Sequence, residues 1–158
     1  LLTHGHFDHI GAVGEIVSKY PEIPVYIGMH ELPVVEFSSN HLYDRSSAKI
    51  IEEKAVKVAD GEIIQVDDLK FTVMHTPGHS QGGVMYICNG VIFSGDTIFL
   101  EEIGRCDLFT SDYAVMFDTL RRIYALEGEY RILPGHGAET SLNHERKRNR
   151  YMREAMER

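Results

Sequence analysis

Apolar residues recur at helical spacing near the start of the chain and predict an amphipathic helix. The positions that fit a period of 3.6 residues are Ile10, Val13, Ile16, Val17 and Tyr20. Pro21 ends the pattern, because proline inside a helix removes a backbone hydrogen bond. A short apolar run over residues 24–28 then predicts a buried strand. A helix that alternates with strands is typical of the α/β class.

The middle of the chain changes to a strand pattern over residues 60–99. The predicted strands cover residues 62–66, 69–75, 83–88 and 91–94. Asn89 and Gly90 separate the last two strands, and both residues tolerate the positive φ of a type I′ hairpin turn. We expect these strands to build a second sheet.

Helical patterns precede this strand region. A short helix is predicted to begin at residues 30–32, and a second covers residues 48–53. The second helix lies in a stretch at residues 41–58 that includes Asp44, and we expect this stretch to be a variable loop and helix beside the functional site.

The C-terminal third predicts two further helices around one strand. Ser111 and Asp112 fit an N-cap, and Gly128 is expected to end the helix that follows. A strand is predicted over residues 130–133. A closing helix over residues 141–156 is expected to be capped by its first residue, a serine.

Composition narrows the classes of partner. At 158 residues the chain fits one domain over residues 1–158, and its net charge of −8 argues against a nucleic-acid partner. No apolar run approaches the roughly 20 residues that span a bilayer, so we expect no membrane partner. Only two cysteines, Cys88 and Cys106, are present, which favours a reducing, cytoplasmic location.

The first nine residues of the chain contain four side chains of the types that bind metal ions. His4, His6, Asp8 and His9 supply three imidazoles and one carboxylate, which are the ligands that Zn²⁺ and similar cations select. Alternate residues of an extended segment point the same way, so the first two histidines can share one metal. Asp8 and His9 lie past the bend and can face a second metal.

Four further motifs follow in a fixed order. They are Thr76-Pro77-Gly78-His79-Ser80-Gln81-Gly82-Gly83, Ser94-Gly95-Asp96-Thr97-Ile98-Phe99, Gly104-Arg105 and Leu133-Pro134-Gly135-His136-Gly137. With the first motif, they resemble the metallo-β-lactamase superfamily and, within it, the glyoxalase II-like (hydroxyacylglutathione hydrolase-like) branch. The resemblance covers essentially the whole chain and implies a four-layer αββα sandwich. Family members reach the first motif after several strands, so we expect this chain to lack the N-terminal strands of that fold.

The resemblance also implies a set of ligands for two divalent metal ions. His4, His6 and His79 would hold metal 1, Asp8, His9 and His136 would hold metal 2, and Asp96 would bridge them. Zinc is favoured, with iron or manganese as alternatives. A hydroxide between the cations would attack a thioester carbonyl, with Asp8 and Asp96 as the catalytic carboxylates. We prefer His79 to His75 as a ligand because His75 falls within a strand pattern, and we leave out His30, His41 and His144.

Substrate recognition is less closely matched to the family pattern. Arg105 corresponds to the family's basic substrate-binding residue, but Asp107 and Ala138 stand where glutathione-binding relatives carry an aromatic residue and a tyrosine. We also expect the family's separate C-terminal helical domain to be missing. We therefore expect a shorter hydrolase that acts on a small-molecule thioester or ester. The oligomeric state and any role of Cys106 are not predicted.

Two alternatives remain open at this point. The first is a persulfide dioxygenase, which resembles this motif pattern but uses one iron held by two histidines and an aspartate. In that case Asp8, His9 and His136 would not bind metal. The second is a non-catalytic interaction domain stabilised by metal, although structural zinc rarely keeps an open coordination position.

Overall fold

The chain folds into short helices and strands, described for residues 1–41 and 45–158 of a computed structural model. The helices of this part are α1 (Phe7–Ile10), α2 (Val13–Lys19), α3 (Leu32–Ser38), α4 (Ser46–Lys54), α5 (Tyr113–Tyr124), α6 (Leu142–Arg148) and α7 (Arg150–Glu157). The strands are β1 (Tyr26–Gly28), β2 (Val56–Val58), β3 (Ile63–Val66), β4 (Leu69–His75), β5 (Val84–Cys88), β6 (Val91–Gly95), β7 (Ile98–Phe99), β8 (Glu102–Ile103), β9 (Arg131–Pro134) and β10 (Thr140–Ser141). Among the described helices, none combines the length and apolar character needed to cross a membrane.

One mixed sheet of six strands has the order β10-β9-β6-β5-β4-β3. Its pairs are antiparallel except for β6 and β9, which run parallel. The predicted hairpin between β5 and β6 is confirmed, with φ of 48° at Asn89 and 77° at Gly90. A smaller parallel sheet joins β1 to β2.

Side-chain alternation places the two sheets face to face between helices. On the large sheet, Met74 and Met85 pack with α5, α6 and α7, whereas Val73 and Tyr86 point to the other side and contact β1 and β2. Side chains of the small sheet alternate in the same way, and Ile27 points away from the large sheet and packs against α1 to α4. The predicted α/β class and the αββα order of layers are therefore confirmed.

The first predicted helix is wrong in its extent and in part of its buried face. The chain forms α1 and α2 with a break at residues 11–12. Ile10, Val13 and Val17 are buried, but Ile16 is 47% exposed and Tyr20 is 55% exposed. The face of α2 that packs on α4 is thus narrower than the apolar pattern predicts.

Two other helix ends also differ from the prediction. Helix α5 ends at Tyr124, four residues before Gly128. The predicted closing helix is split at Asn149, whose backbone is extended and whose side chain accepts hydrogen bonds from the backbone N–H groups of Tyr151 and Met152. Asn149 therefore caps a new helix, because its carboxamide satisfies donors at the first turn of α7.

The stretch at residues 41–58 contains more regular structure than the sequence pattern predicts. The expected helix is present as α4, but residues 56–58 form β2, which pairs in parallel with β1. A three-residue strand with a lysine at its centre is too short to be recognised by periodicity alone. The part of this prediction that concerns Asp44 lies outside the described residues.

Candidate metal centre

The first motif places its ligand-type residues on two kinds of backbone. His4 lies in an extended segment that ends at His6, whose ψ is 148°. Asp8 and His9 lie in α1, where the helical turn points them in another direction. The extended segment is fixed to the large sheet, because the Val84 backbone N–H donates a 2.8 Å hydrogen bond to the Thr3 carbonyl.

Three further ligand-type residues follow strands of the large sheet. His79 lies in the loop between β4 and β5, Asp96 follows β6, and His136 follows β9. Because β6 and β9 are parallel neighbours, their carboxyl ends lie at the same edge of the sheet. A 2.8 Å hydrogen bond from the Gly135 N–H to the Gly95 carbonyl holds these two ends together.

One group of imidazoles contains His4, His6 and His79. Their ring nitrogens lie within 4.8 Å of one another, and His6 Nδ1 is 2.9 Å from His79 Nε2. The rings of His4 and His6 meet edge to face, with centroids 4.9 Å apart. Nitrogen atoms that converge from two separate segments in this way could hold one metal ion.

A second group contains Asp8, His9 and His136, again with ligand atoms within 4.8 Å of one another. His136 Nε2 lies 3.1 Å from His9 Nε2 and 3.1 Å from Asp8 Oδ2. This group is more exposed than the first, and its mixed nitrogen and oxygen donors could hold a second cation.

Asp96 lies between the two groups. Its Oδ1 atom is 3.4 Å from His9 Nε2, while its Oδ2 atom is 3.7 Å from His79 Nε2 and 3.5 Å from His136 Nε2. The carboxylate therefore contacts both sets of imidazoles. His4, His9 and Asp96 also form a group of their own within 4.8 Å, which makes the whole cluster continuous.

Two buried polar atoms of the cluster test whether a metal fits. His4 Nε2 and Asp96 Oδ1 lack a hydrogen-bond partner among the described residues. Leaving such an atom unsatisfied costs about 1–3 kcal/mol in a protein interior. A cation would satisfy both atoms, because imidazole nitrogen and carboxylate oxygen are donors of electron pairs. The residues present thus fit a metal centre.

The protonation states of the histidines also suit metal binding. Burial lowers the pKa of His6 to about 4 and lowers the pKa of His4 well below its ordinary value. Burial likewise lowers the pKa of His79 and raises the pKa of the Asp96 carboxyl. Near neutral pH these imidazoles are therefore uncharged, which is the form that donates an electron pair to a metal.

Neighbouring backbone fixes how the ligand-type residues face the cluster. His79 Nδ1 lies 2.8 Å from the Arg105 carbonyl oxygen and donates to it, which leaves His79 Nε2 free to bind a cation. Gly135 leaves room for the neighbouring side chains. A Cβ atom at this position would lie 2.2 Å from Asp96 Oδ1 and 2.7 Å from His9 Cε1.

A cavity of about 700 Å³ opens onto the cluster. Its walls include ligand-type residues from both groups together with Phe7, Phe37, His41, Phe99 and Phe109. Sequence reasoning missed this aromatic lining, because single phenylalanines far apart in the chain carry no local signal. The cavity gives a small molecule access to both groups.

Arg105, the expected substrate-binding residue, lines the cavity, but its side chain has a partner. Its Nε donates to Asp107 Oδ1 at 2.8 Å, and its terminal nitrogen donates to Asp107 Oδ2 at 3.0 Å. Cys106 is half-buried, and burial raises the pKa of its thiol to about 11. The thiol is therefore protonated near neutral pH, which argues against a nucleophilic role.

The four histidines left out of the ligand set lie outside the three groups. His75 remains in β4, and its Nε2 contacts the Gln81 carbonyl oxygen at 3.0 Å. His144 pairs with Glu101, and His41 contacts phenylalanine rings at the cavity.

Sequence reasoning also missed a buried carboxylate behind the cluster. Glu31 Oε1 accepts a 2.8 Å hydrogen bond from the Gly5 N–H, and its Oε2 accepts another of 2.8 Å from the Gly82 N–H. Glu31 thereby connects the segment that carries His4 and His6 to the loop that carries His79. A single glutamate next to Leu32 gives no sign of this role in the sequence.

Comparison with known proteins identifies relatives over most of the chain. The family profile described as the metallo-beta-lactamase superfamily matches residues 1–136. A probable metallo-hydrolase of Streptococcus pyogenes serotype M6 is 32% identical over 157 residues, which covers 94% of this chain and 68% of that protein. A hydroxyacylglutathione hydrolase of Xanthomonas euvesicatoria pv. vesicatoria is 32% identical over 136 residues, which covers 86% of this chain and 46% of that protein. The chain thus spans about half the length of this hydroxyacylglutathione hydrolase.

Solved structures share the fold. The protein TTHA1623, solved in a di-iron-bound form, superimposes with a TM-score of 0.78 at 32% identity, covering 94% of this chain and 74% of that one. ETHE1 from Myxococcus xanthus superimposes with a TM-score of 0.73 at 26% identity, covering 94% of this chain and 59% of that one. Because the family profile covers most of the chain, this protein belongs to the metal-dependent metallo-β-lactamase superfamily.

Proposed function

We propose that residues 1–158 form the catalytic domain of a binuclear metal-dependent hydrolase that cleaves a small-molecule thioester. The observation that carries this proposal is the position of Asp96. Its two oxygens face His9 on one side and His79 on the other, at 3.4 Å and 3.7 Å. A carboxylate that contacts both groups of imidazoles fits a bridge between two cations.

The proposed ligands follow the two groups of side chains. His4, His6 and His79 hold the first metal, and Asp8, His9 and His136 hold the second. When bound, two such cations supply Lewis acidity, which lowers the pKa of water to about 7 and polarises a carbonyl oxygen. Zinc is favoured because its ligands are nitrogen and carboxylate oxygen, and the similarity to a di-iron protein supports iron as the first alternative.

The chain's own residues position the substrate and move the proton. Asp8 and Asp96 are the carboxylates of the cluster, so each can accept a proton from the attacking water. The cavity of about 700 Å³ can hold the thioester beside them. The open cavity supports a catalytic centre over a purely structural metal site.

Replacement of Asp96 tests this assignment. We expect Asp96→Ala to lose at least one metal per chain and to lose thioester hydrolysis, because neither group keeps its shared carboxylate. His30→Ala is the matched control, since His30 is exposed and lies outside the ligand groups. Metal content by elemental analysis and hydrolysis of S-lactoylglutathione are the measurements. Unchanged metal content and activity in Asp96→Ala would remove the bridging role.

A mononuclear iron dioxygenase is the second candidate, and the similarity to ETHE1 favours it. That enzyme class would leave Asp8, His9 and His136 without a metal. Their convergence at 3.1 Å supports the binuclear hydrolase instead. One iron per chain and oxygen uptake with glutathione persulfide would favour the dioxygenase.

A further inference from the structure

Three phenylalanines line one side of the cavity. None of them has a part in the proposed metal centre. Phe7 comes from α1, Phe37 from α3, and Phe109 from the segment before α5. They are 49%, 46% and 47% exposed, so each ring presents about half of its surface to solvent. Exposed aromatic residues that converge from separate segments are typical of a binding surface.

The rings form one continuous aromatic wall, defined by Phe7, Phe37, His41 and Phe109. Phe37 stacks on Phe109 with centroids 4.7 Å apart and an interplanar angle of 23°. His41 joins Phe37 to Phe7, with centroid distances of 5.7 Å and 6.0 Å. These distances are favourable for aromatic pairs, which fixes the rings relative to one another.

The charges around the cavity disfavour an anionic substrate. Among its described lining residues, Arg105 is the one guanidinium or ammonium group, and both oxygens of Asp107 are bonded to it. A glutathione thioester carries two carboxylates, and the described lining offers neither of them an uncommitted cationic side chain.

We propose that the aromatic wall is a subsite for the acyl group of an uncharged thioester, and that this acyl group is apolar, with an aromatic ring as the best fit. The inference rests on the proposed function and names its substrate class. Phe7 and Asp8 line the same cavity, so the wall adjoins the metal ligands. An acyl ring on the wall therefore lies close to the position where its carbonyl must react.

Phenylacetyl and acetyl thioesters of N-acetylcysteamine test the wall directly, because they differ only in the ring. On the metal-loaded protein we expect kcat/KM to be about ten-fold higher for the phenylacetyl compound, a factor that aromatic contact and burial together can supply. S-Lactoylglutathione should be a poorer substrate than the phenylacetyl thioester. Equal or higher kcat/KM for the acetyl or glutathione thioester would overturn the inference.

Variants separate the wall from the reaction itself. Phe37→Ala and Phe109→Ala should lower the ratio of kcat/KM for the phenylacetyl thioester to kcat/KM for the acetyl thioester towards one, because the lost contact is to the ring. Phe37→Leu keeps an apolar side chain and serves as the conservative variant. Phe93→Ala is the matched control, since Phe93 is an exposed phenylalanine on β6 that does not line the cavity. Equal losses on both substrates would contradict a subsite.

Binding of products distinguishes failure of the subsite from failure of the proposed function. Phenylacetate and acetate carry the same carboxylate and differ only in the ring. The difference between their affinities, measured by calorimetric titration of the metal-loaded protein, therefore reports the contribution of the ring. We expect phenylacetate to bind about ten-fold more tightly, and Phe37→Ala to reduce this ratio towards one. A preserved ratio without turnover would contradict the hydrolase but keep the subsite. Equal affinity for the two acids would overturn the subsite even if hydrolysis is observed.

Discussion

Glu31 offers a quantitative test of how the fold supports the metal centre. Its carboxylate is fully buried and accepts 2.8 Å hydrogen bonds from two backbone donors, Gly5 and Gly82. The first donor lies between His4 and His6, and the second lies three residues after His79. The substitution Glu31→Gln keeps the size of the side chain but leaves one oxygen to accept hydrogen bonds.

The loss of one acceptor sets the expected cost of Glu31→Gln. One of the two backbone N–H groups would face the amide nitrogen instead of an oxygen. An unsatisfied buried donor costs about 1–3 kcal/mol in free energy of unfolding. We expect this cost in the metal-free protein near pH 5, where the wild-type carboxyl is largely protonated in the folded state.

The cost should decrease as the pH rises, because burial raises the pKa of the Glu31 carboxyl from 4.5 to about 7. The folded protein then holds a proton that the unfolded chain releases. The stabilisation of wild type by this proton is fully present below pH 4.5 and is lost as the pH rises through 7. The difference between the two pKa values corresponds to about 3 kcal/mol, and glutamine lacks this pH dependence.

Urea denaturation of the metal-free proteins near pH 5 and pH 8 measures both effects. The difference in free energy of unfolding between wild type and Glu31→Gln should be largest near pH 5 and should shrink or change sign near pH 8. Glu36→Gln, at an exposed position in the helix that follows Glu31, is the control and should behave as wild type. A constant difference at both pH values, or none, would refute the reasoning.

Further predictions concern the ligand cluster and the cavity. Gly135→Ala should lower metal content and activity, because its Cβ would collide with Asp96 Oδ1 at 2.2 Å. In the control Gly128→Ala, the Cβ would contact nothing within 4 Å; its φ of 90° strains alanine and should lower stability, but metal content should be kept. Asp107→Asn should raise kcat/KM for S-lactoylglutathione several-fold, because it releases Arg105 to bind a substrate carboxylate. An unchanged kcat/KM would contradict the idea that Asp107 keeps Arg105 from the substrate. Chelation should lower the midpoint of thermal unfolding, since free metal at about a thousand times its Kd stabilises a folded site by about 4 kcal/mol. An unchanged midpoint would contradict a metal bound by the folded state alone.

The sequence allowed much of the fold to be predicted where local chemistry decides the structure. Asn89 and Gly90 predict their hairpin because they tolerate positive φ, and the motif order predicts the sandwich. The helix boundaries were less predictable. Asn149 splits the closing helix through side-chain bonds to the Glu102 carbonyl oxygen and to Glu145 Oε2, which come from distant or buried groups.

The candidate site likewise has one part that the sequence predicts and another part that it does not. The motifs bring His79, Asp96 and His136 to the cluster, because each motif lies at the end of a strand or in a loop of one sheet edge. The pairing of Arg105 with Asp107 and the burial of Glu31 depend on tertiary packing, which periodicity does not encode. The aromatic wall likewise exists only after α1, α3 and the segment before α5 have come together.

Metal content measured together with thioester turnover tests the central claim most directly. We predict about two divalent metal ions per chain by elemental analysis, and hydrolysis of a thioester that is lost on chelation and restored by adding metal. One iron per chain without thioester hydrolysis would contradict the binuclear hydrolase.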